Sequence, residues 1–271
     1  MKTIRFLTVL LVLLLLVGCQ QTEQAVPTEE RIQVEEKIPM EEIYGCPARS
    51  LKGLSRQEVY ELYLQALEEG ERKAYTPVVV YVNDTLTELI EYYCKNAGGP
   101  EAYRDAALAG EHSDGAQRLQ TRYQALEALI EPKYLEISAS ELEEYLAGSD
   151  RKCDRFPSVS FAGTPYLLQV PTQRPWEIFA WIPFCGWNSC PDVEDMMAIC
   201  KYWQEQYGAL PAQISYDTLS FYLPEPVTDR ETAISLAREQ AAFCDGVFEM
   251  GTPAYYAAAA LDSHFWSFWW D

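Results

Sequence analysis

The seven tryptophans of this chain, Trp176, Trp181, Trp187, Trp203, Trp266, Trp269 and Trp270, all lie between Trp176 and Asp271. They finish in the run His264-Phe-Trp-Ser-Phe-Trp-Trp-Asp271. A buried Phe, Tyr or Trp removes about 150–250 Å² from water. Aromatic side chains gathered in one stretch can therefore nucleate a core there, and the rest of the chain must pack around it. Phe265 to Trp270 reads as a strand whose two faces are both apolar, which predicts cover on both sides of it.

The other end of the chain has a different character. Lys2 and Arg5 precede an apolar run from Phe6 to Val17, shorter than the about 20 residues a transmembrane helix requires. Leu16-Val17-Gly18-Cys19 resembles a bacterial lipobox. That resemblance implies a signal peptide over residues 1–18, and acylation of Cys19 to give a membrane anchor bearing diacylglyceryl and palmitate-type chains. Two or more chains hold far more stably than one, because each buried CH₂ contributes about 0.8 kcal/mol. Residues 19–44 are acidic and free of aromatics until Tyr44, with Pro27 and Pro39 interrupting them. They lack the apolar surface to offset ordering and read as a tether. The expected location is the outer side of a bacterial cell membrane, or the outer membrane if the cell has one, since Gln20 follows the cysteine where an Asp would retain the protein.

With 21 Lys and Arg against 41 Asp and Glu, the net charge is −20. This opposes binding to nucleic acid or anionic headgroups and favours a basic partner or cation. Residues 45–271 are long enough for one domain with a substantial core.

Within them, Ser55 and Glu58 form a capping-box pattern ahead of a helix ended by Gly70. Thr76 to Val82 is a β-branched strand, followed by Asn83-Asp84 and a helix running to Gly98. No glycine-rich phosphate loop occupies that turn, so no nucleotide cofactor is expected. Pro100 to Ile130 is mostly helical with a break near Gly110 to Gly115, and Ser140 with Glu143 marks another helix start. Ser158–Ala162, Tyr166–Val170 and Glu177–Phe184 read as strands. A helix from Pro191 to Gly208 sets Met196, Met197, Cys200, Trp203 and Tyr207 on one face. Ala212–Tyr216 and Thr218–Leu223 form a hairpin about Asp217. Thr228 with Glu231 opens a helix to Phe243, and Thr252-Pro253 opens one through Ala260. The pattern predicts an α+β fold with a mixed, mainly antiparallel sheet.

Four pieces together resemble the bacterial family of domain of unknown function 4253. They are Gly186-Trp-Asn-Ser-Cys-Pro191, Tyr202-Trp-Gln-Glu-Gln-Tyr-Gly208, Leu236-Ala-Arg-Glu-Gln-Ala-Ala-Phe-Cys244 and Phe268-Trp-Trp-Asp271. The resemblance is strongest over residues 179–271 and implies a fold unit without an assigned activity. Cys185 stands where that family usually has glycine, and Ser220 where it usually has an acidic residue.

Candidate chemistry is sparse. Metal-ligand spacing is absent, because Cys185 and Cys190 have no second pair at finger-like distance. His112 lies in a glycine-flanked loop and reads as exposed, while His264 abuts the last strand. Trp187 and Asn188, in a turn between elements, pair stacking with hydrogen bonding and are the leading binding candidates, joined by Asp217 and Asp271. The alternative for this turn is structural, with Asn188 capping a helix and Trp187 in the core. Two function classes follow: a lipid-anchored binding module for a protein or small ligand, basic in character, or a surface hydrolase using Asp217, Asp245, Asp262 and Asp271 or a pair of His264 with Cys190 or Cys244. Cys185 and Cys190 flank a turn that can bring them within disulfide range, and Cys190 with Cys244 is the competing bridge.

Overall fold

The structure, a computed structural model, describes residues 45–148, 152–157, 163–184, 188–246 and 251–270. Cys19, the signal and tether segments, Cys185, Trp187, Asp271 and the expected strand over 158–162 lie outside these residues, as does the bridge expected between Cys185 and Cys190.

The chain opens on β1 (Ala48–Ser50), which is too short to show an alternating pattern in sequence. In the capping box that follows, Ser55 Oγ accepts from the Glu58 amide at 3.3 Å and Glu58 Oε2 accepts from the Ser55 amide at 2.7 Å. It opens α1 (Arg56–Lys73). Gly70 does not end this helix, which runs on to Lys73 and stops at left-handed Ala74. Gly70 lies where a Cβ would meet the Tyr75 carbonyl oxygen at 2.3 Å, so glycine there lets the returning chain approach the helix. β2 (Thr76–Val82) leads into α2 (Asp84–Ala97), whose cap is Asn83 Oδ1 accepting from the Leu86 amide at 2.8 Å. Then come α3 (Pro100–Ala109), α4 (Gly115–Glu127), the single turn α5 (Pro132–Leu135) and α6 (Ala139–Ala147).

The second half holds β3 (Thr164–Val170), a 3₁₀ helix (Pro175–Ala180), α7 (Val193–Tyr207), β4 (Leu210–Ile214) and β5 (Thr218–Tyr222). It ends with α8 (Arg230–Phe243), α9 (Pro253–Ala260) and β6 (Phe265–Trp269).

The sheet order is β1-β3-β2-β4-β5-β6. Its pairings are antiparallel except for β2 with β4, where Val79 faces Gln213. This is an α+β fold with a mixed, mainly antiparallel sheet. The parallel pair belongs to the strand-turn-helix unit β2–α2, since a parallel neighbour needs a crossover and cannot be reached through a hairpin.

Strand alternation divides the interior. Val78, Val80, Leu168, Leu219, Phe221, Trp266, Phe268 and Trp270 point into the larger core with α2, α4, α7 and α8. Val79, Leu167, Tyr222 and Phe265 point the other way, against Val59, Tyr63 and Ala66 of α1 and against Phe156. Residues i and i+2 of a strand share a face, so β6 feeds both cores. Its second face is covered only at the Phe265 end, because Ser267 is exposed and Trp269 half-buried.

Trp203 is the centre of the larger core. Fully buried, it stacks on Phe268 (5.6 Å, 19°) and meets the edges of Phe243 (4.8 Å), Phe221 (5.3 Å) and Trp266 (5.8 Å). Each such aromatic pair contributes about 0.5–1.5 kcal/mol beyond the area it buries.

The structure corrects several sequence expectations. Glu177–Phe184 is not a strand; Pro175 opens a 3₁₀ helix, and Trp176 through Ala180 are buried all round. A short apolar run buried on every side has no period to separate helix from strand, and proline pre-sets the first helical position. Caps shift by one or two residues. Ser138, not Ser140, caps α6, Asp229, not Thr228, caps α8, and Asp192 caps α7 in place of a start at Pro191. His112 is buried rather than exposed, with Nε2 donating to the Ala107 carbonyl at 2.9 Å and its ring 5.3 Å from Trp176. No helix among the described residues is long and apolar enough to cross a membrane.

Candidate functional site

Helix α4 packs against both α7 and α8, and an open cavity of about 290 Å³ lies among the three. Tyr202 of α7 and Ser235, Arg238, Glu239 and Ala242 of α8 line one side of it. Trp203 and Tyr207 stand four residues apart on one face of α7, and helical geometry places such pairs together. On α8 the spacing Leu236, Glu239, Gln240, Phe243 turns Glu239 toward that face.

The result is a carboxylate held by three donors from one helix. Trp203 Nε1 donates to Glu239 Oε2 at 2.8 Å, Tyr202 Oη to Oε1 at 3.1 Å and Tyr207 Oη to Oε1 at 3.2 Å. Tyr207 Oη also lies 3.3 Å from Oε2, so the three side chains bridge both oxygens of the carboxylate. Burial pushes the Glu239 carboxyl above its ordinary value of 4.5, and the three hydrogen bonds pull the other way. Burial, and then the Glu239 charge, push the Tyr202 hydroxyl up to about 12. The Tyr207 hydroxyl rises from the same two causes. The tyrosines therefore stay protonated and keep donating to the acid.

The far wall is α4, which contributes Leu119, Gln120, Tyr123, Gln124 and Glu127. A second depression of about 340 Å³ shares Tyr123, Glu127 and Arg238 with the first and extends past Pro132, Leu135 and Glu136. Leu129 and Tyr134, in the segment after α4, are among the exposed large apolar side chains. Across the two depressions, carboxylates Glu127, Glu136 and Glu239 face a single cation, Arg238.

The residues singled out from sequence do not gather in this groove. Asp217 is a buried anchor of the β4–β5 hairpin. Its Oδ1 accepts from Ser215 Oγ at 2.7 Å and Thr218 Oγ1 at 3.0 Å, and its Oδ2 accepts from Trp269 Nε1 at 3.0 Å. Asn188 has left-handed backbone (φ 49°), and the turn that bears it is tied down from α4 and α8. Arg122 Nη2 donates to the Ser189 carbonyl and Arg122 Nε to the Ala242 carbonyl at 2.9 Å, while Ser189 Oγ bonds Asp245. Asp262 pairs with Lys152 at 3.1 Å. His264 Nδ1 donates to the Leu223 carbonyl at 2.8 Å, and Cys244 Sγ donates to the Trp269 carbonyl at 3.1 Å. These two contacts mark opposite ends of the β5–β6 pairing, five residues or about 17 Å apart at strand rise. Cys190 is buried. Among the described residues no group of three or more His, Cys, Asp or Glu could hold a metal ion.

Residues 166–271 match the model of a family described as a domain of unknown function (DUF4253). The match runs from β3 to the end of the chain and includes Tyr202, Trp203, Tyr207 and Glu239, whereas the wall on α4 precedes it. No curated protein and no solved structure matches this chain.

Proposed function

We propose that this protein is a lipid-anchored binding module of the bacterial envelope, holding its ligand in the groove between α4, α7 and α8. The observation that carries this reading is the convergence of two sequence pieces far apart in the chain. Tyr202, Trp203 and Tyr207 hold Glu239, and Tyr202 and Glu239 line the cavity. The surplus of acid over base in the groove, within a chain of net charge −20, supports a basic ligand. The lipobox at Cys19 and the acidic stretch after it support an anchored, outward-facing molecule. A surface hydrolase gains less support, because the carboxylates and the Cys244 and His264 side chains are each engaged separately.

Two measurements test the reading. A photo-crosslinking residue at Gln120, compared with one at exposed Tyr92 on α2, should capture ligand in intact cells only at the groove. Cys19→Ser should abolish acyl labelling and release the protein from the membrane. Equal capture at both positions would reject the groove, and membrane retention of Cys19→Ser would reject the anchor.

A further inference from the structure

We propose that the groove is a site for an alkylammonium group, such as a lysine side chain or a free alkyl amine. The inference rests on the groove being the binding site and adds the chemistry it selects. Its walls carry two carboxylates, Glu127 and Glu239, against one cation, Arg238. Glu239 and Tyr202 both line the cavity, so the acid held by Tyr202, Trp203 and Tyr207 is also presented to the groove. Gln120 and Gln124 offer side-chain carbonyls, and Glu127 lies at the rim. The half-buried rings of Tyr123 and Tyr202 flank this space. Aromatic faces near a carboxylate suit a cation carried on an apolar stem, since the stem packs on the rings while the charge meets the acid. A carboxylate ligand would bring a second negative charge to Glu239, and a neutral alcohol would leave that charge uncompensated.

The charged and titratable groups facing Glu239 are Tyr202 and Tyr207 from α7, Tyr123 and Glu127 from α4, and Arg238 beside it on α8. Because burial raises the Glu239 carboxyl from its ordinary value and the Tyr202 hydroxyl is pushed up to about 12, acidification removes the acceptor charge and leaves that tyrosine protonated. Amine binding should therefore fall as pH drops through the Glu239 value.

The test is calorimetric titration of the full chain with butylamine, 1,5-diaminopentane and a lysine-containing peptide, with 1-butanol and butyrate as controls. The wild type should bind the amines and neither control. Glu239→Gln should lower amine affinity at least tenfold, and the rim change Glu127→Lys, at an exposed position, should lower it several-fold with no change in melting temperature. The peptide arm separates a protein-borne lysine from a free amine: peptide binding without diamine binding assigns the former, and the reverse assigns the latter. Equal binding of butanol and butylamine, or amine binding unchanged in both variants, overturns the proposal. If no amine binds while crosslinking at Gln120 still captures a groove ligand, the alkylammonium assignment falls and the binding module stands.

Discussion

The indole nitrogen of Trp203 donates to Glu239 Oε2 at 2.8 Å, so the most buried tryptophan of the core also holds an acid that lines the groove. One face of that ring belongs to the sheet through Phe268, and one edge belongs to the site. Packing and recognition are therefore coupled at a single side chain.

Trp203→Phe should separate the two contributions. Phenylalanine keeps an aromatic ring against Phe243 and Phe268 but lacks the N–H and leaves a cavity beside Glu239. We expect a loss of about 2–3 kcal/mol, combining the void with a lost bond to a charged group. Urea denaturation checks it through a lowered midpoint at unchanged slope. A loss under about 1 kcal/mol would show that the core collapses around phenylalanine and that the Glu239 bond carries little.

Most of the elements could be read in the chain because their signals are local. Ser55 with Glu58, Asn83 before the second helix and Thr252 before Pro253 are caps whose geometry matches the expectation. Non-local facts were harder to see. Nothing near His112 marks it as buried, because Trp176 lies well over fifty residues away and covers it only through folding. Glu239 carries no local mark of a site, because an acid among Leu236, Ala237, Ala241 and Phe243 has the pattern of an ordinary amphipathic helix. The available signal was its period: three residues after Leu236 and four before Phe243, it lies on the inward face. The α4 wall carried no signal, since Gln120, Tyr123 and Gln124 are ordinary helix-surface residues until α7 and α8 come alongside.

Glu239 also gives the protein a dependence on pH. Burial raises its folded-state value above 4.5, so the native state holds that proton more tightly than the unfolded chain does. The stabilising contribution is complete below the unfolded value and is lost as pH rises through the raised folded value. Glu239→Gln lacks this term. Melting temperatures of the wild type and the variant, followed from pH 3.5 to 8, should drift apart across that window, with the wild type losing ground as pH rises. A difference that stays constant with pH would show that the carboxyl is not perturbed.

Gly115, at the start of α4, fixes the width of the groove. A Cβ built there would lie 2.2 Å from the Ala198 carbonyl oxygen and 2.7 Å from Tyr202 Cβ. Alanine must therefore push α4 away from α7. The cost of such overpacking is typically about 1–3 kcal/mol, and the movement separates Tyr123 from Tyr202. We expect Gly115→Ala to lower stability by that amount and to weaken amine binding as well, measured by urea titration and calorimetry. Unchanged stability would mean that the helices slide apart freely, contrary to the close contact.

Tyr63 makes the opposite case, a polar group whose removal should help. Its ring is fully buried against Phe156 (5.2 Å) and Tyr222 (5.8 Å), and its hydroxyl has no hydrogen-bond partner among the described residues. Burial, followed by the nearby Tyr222 and Tyr60, raises that hydroxyl's pKa far above the ordinary tyrosine value, so it is neutral at neutral pH. A buried, unpaired hydroxyl costs about 1–3 kcal/mol relative to one that stays hydrated. Tyr63→Phe removes the oxygen and keeps both edge contacts, so the urea midpoint should hold or rise, by about 1 kcal/mol at most once the small void left by the oxygen is counted. Tyr207→Phe, made alongside it, removes a hydroxyl that does have a partner in Glu239 and should lower the midpoint. A drop of more than about 1 kcal/mol for Tyr63→Phe would show that a water molecule pairs with this hydroxyl, since an unpaired group has no bond to lose.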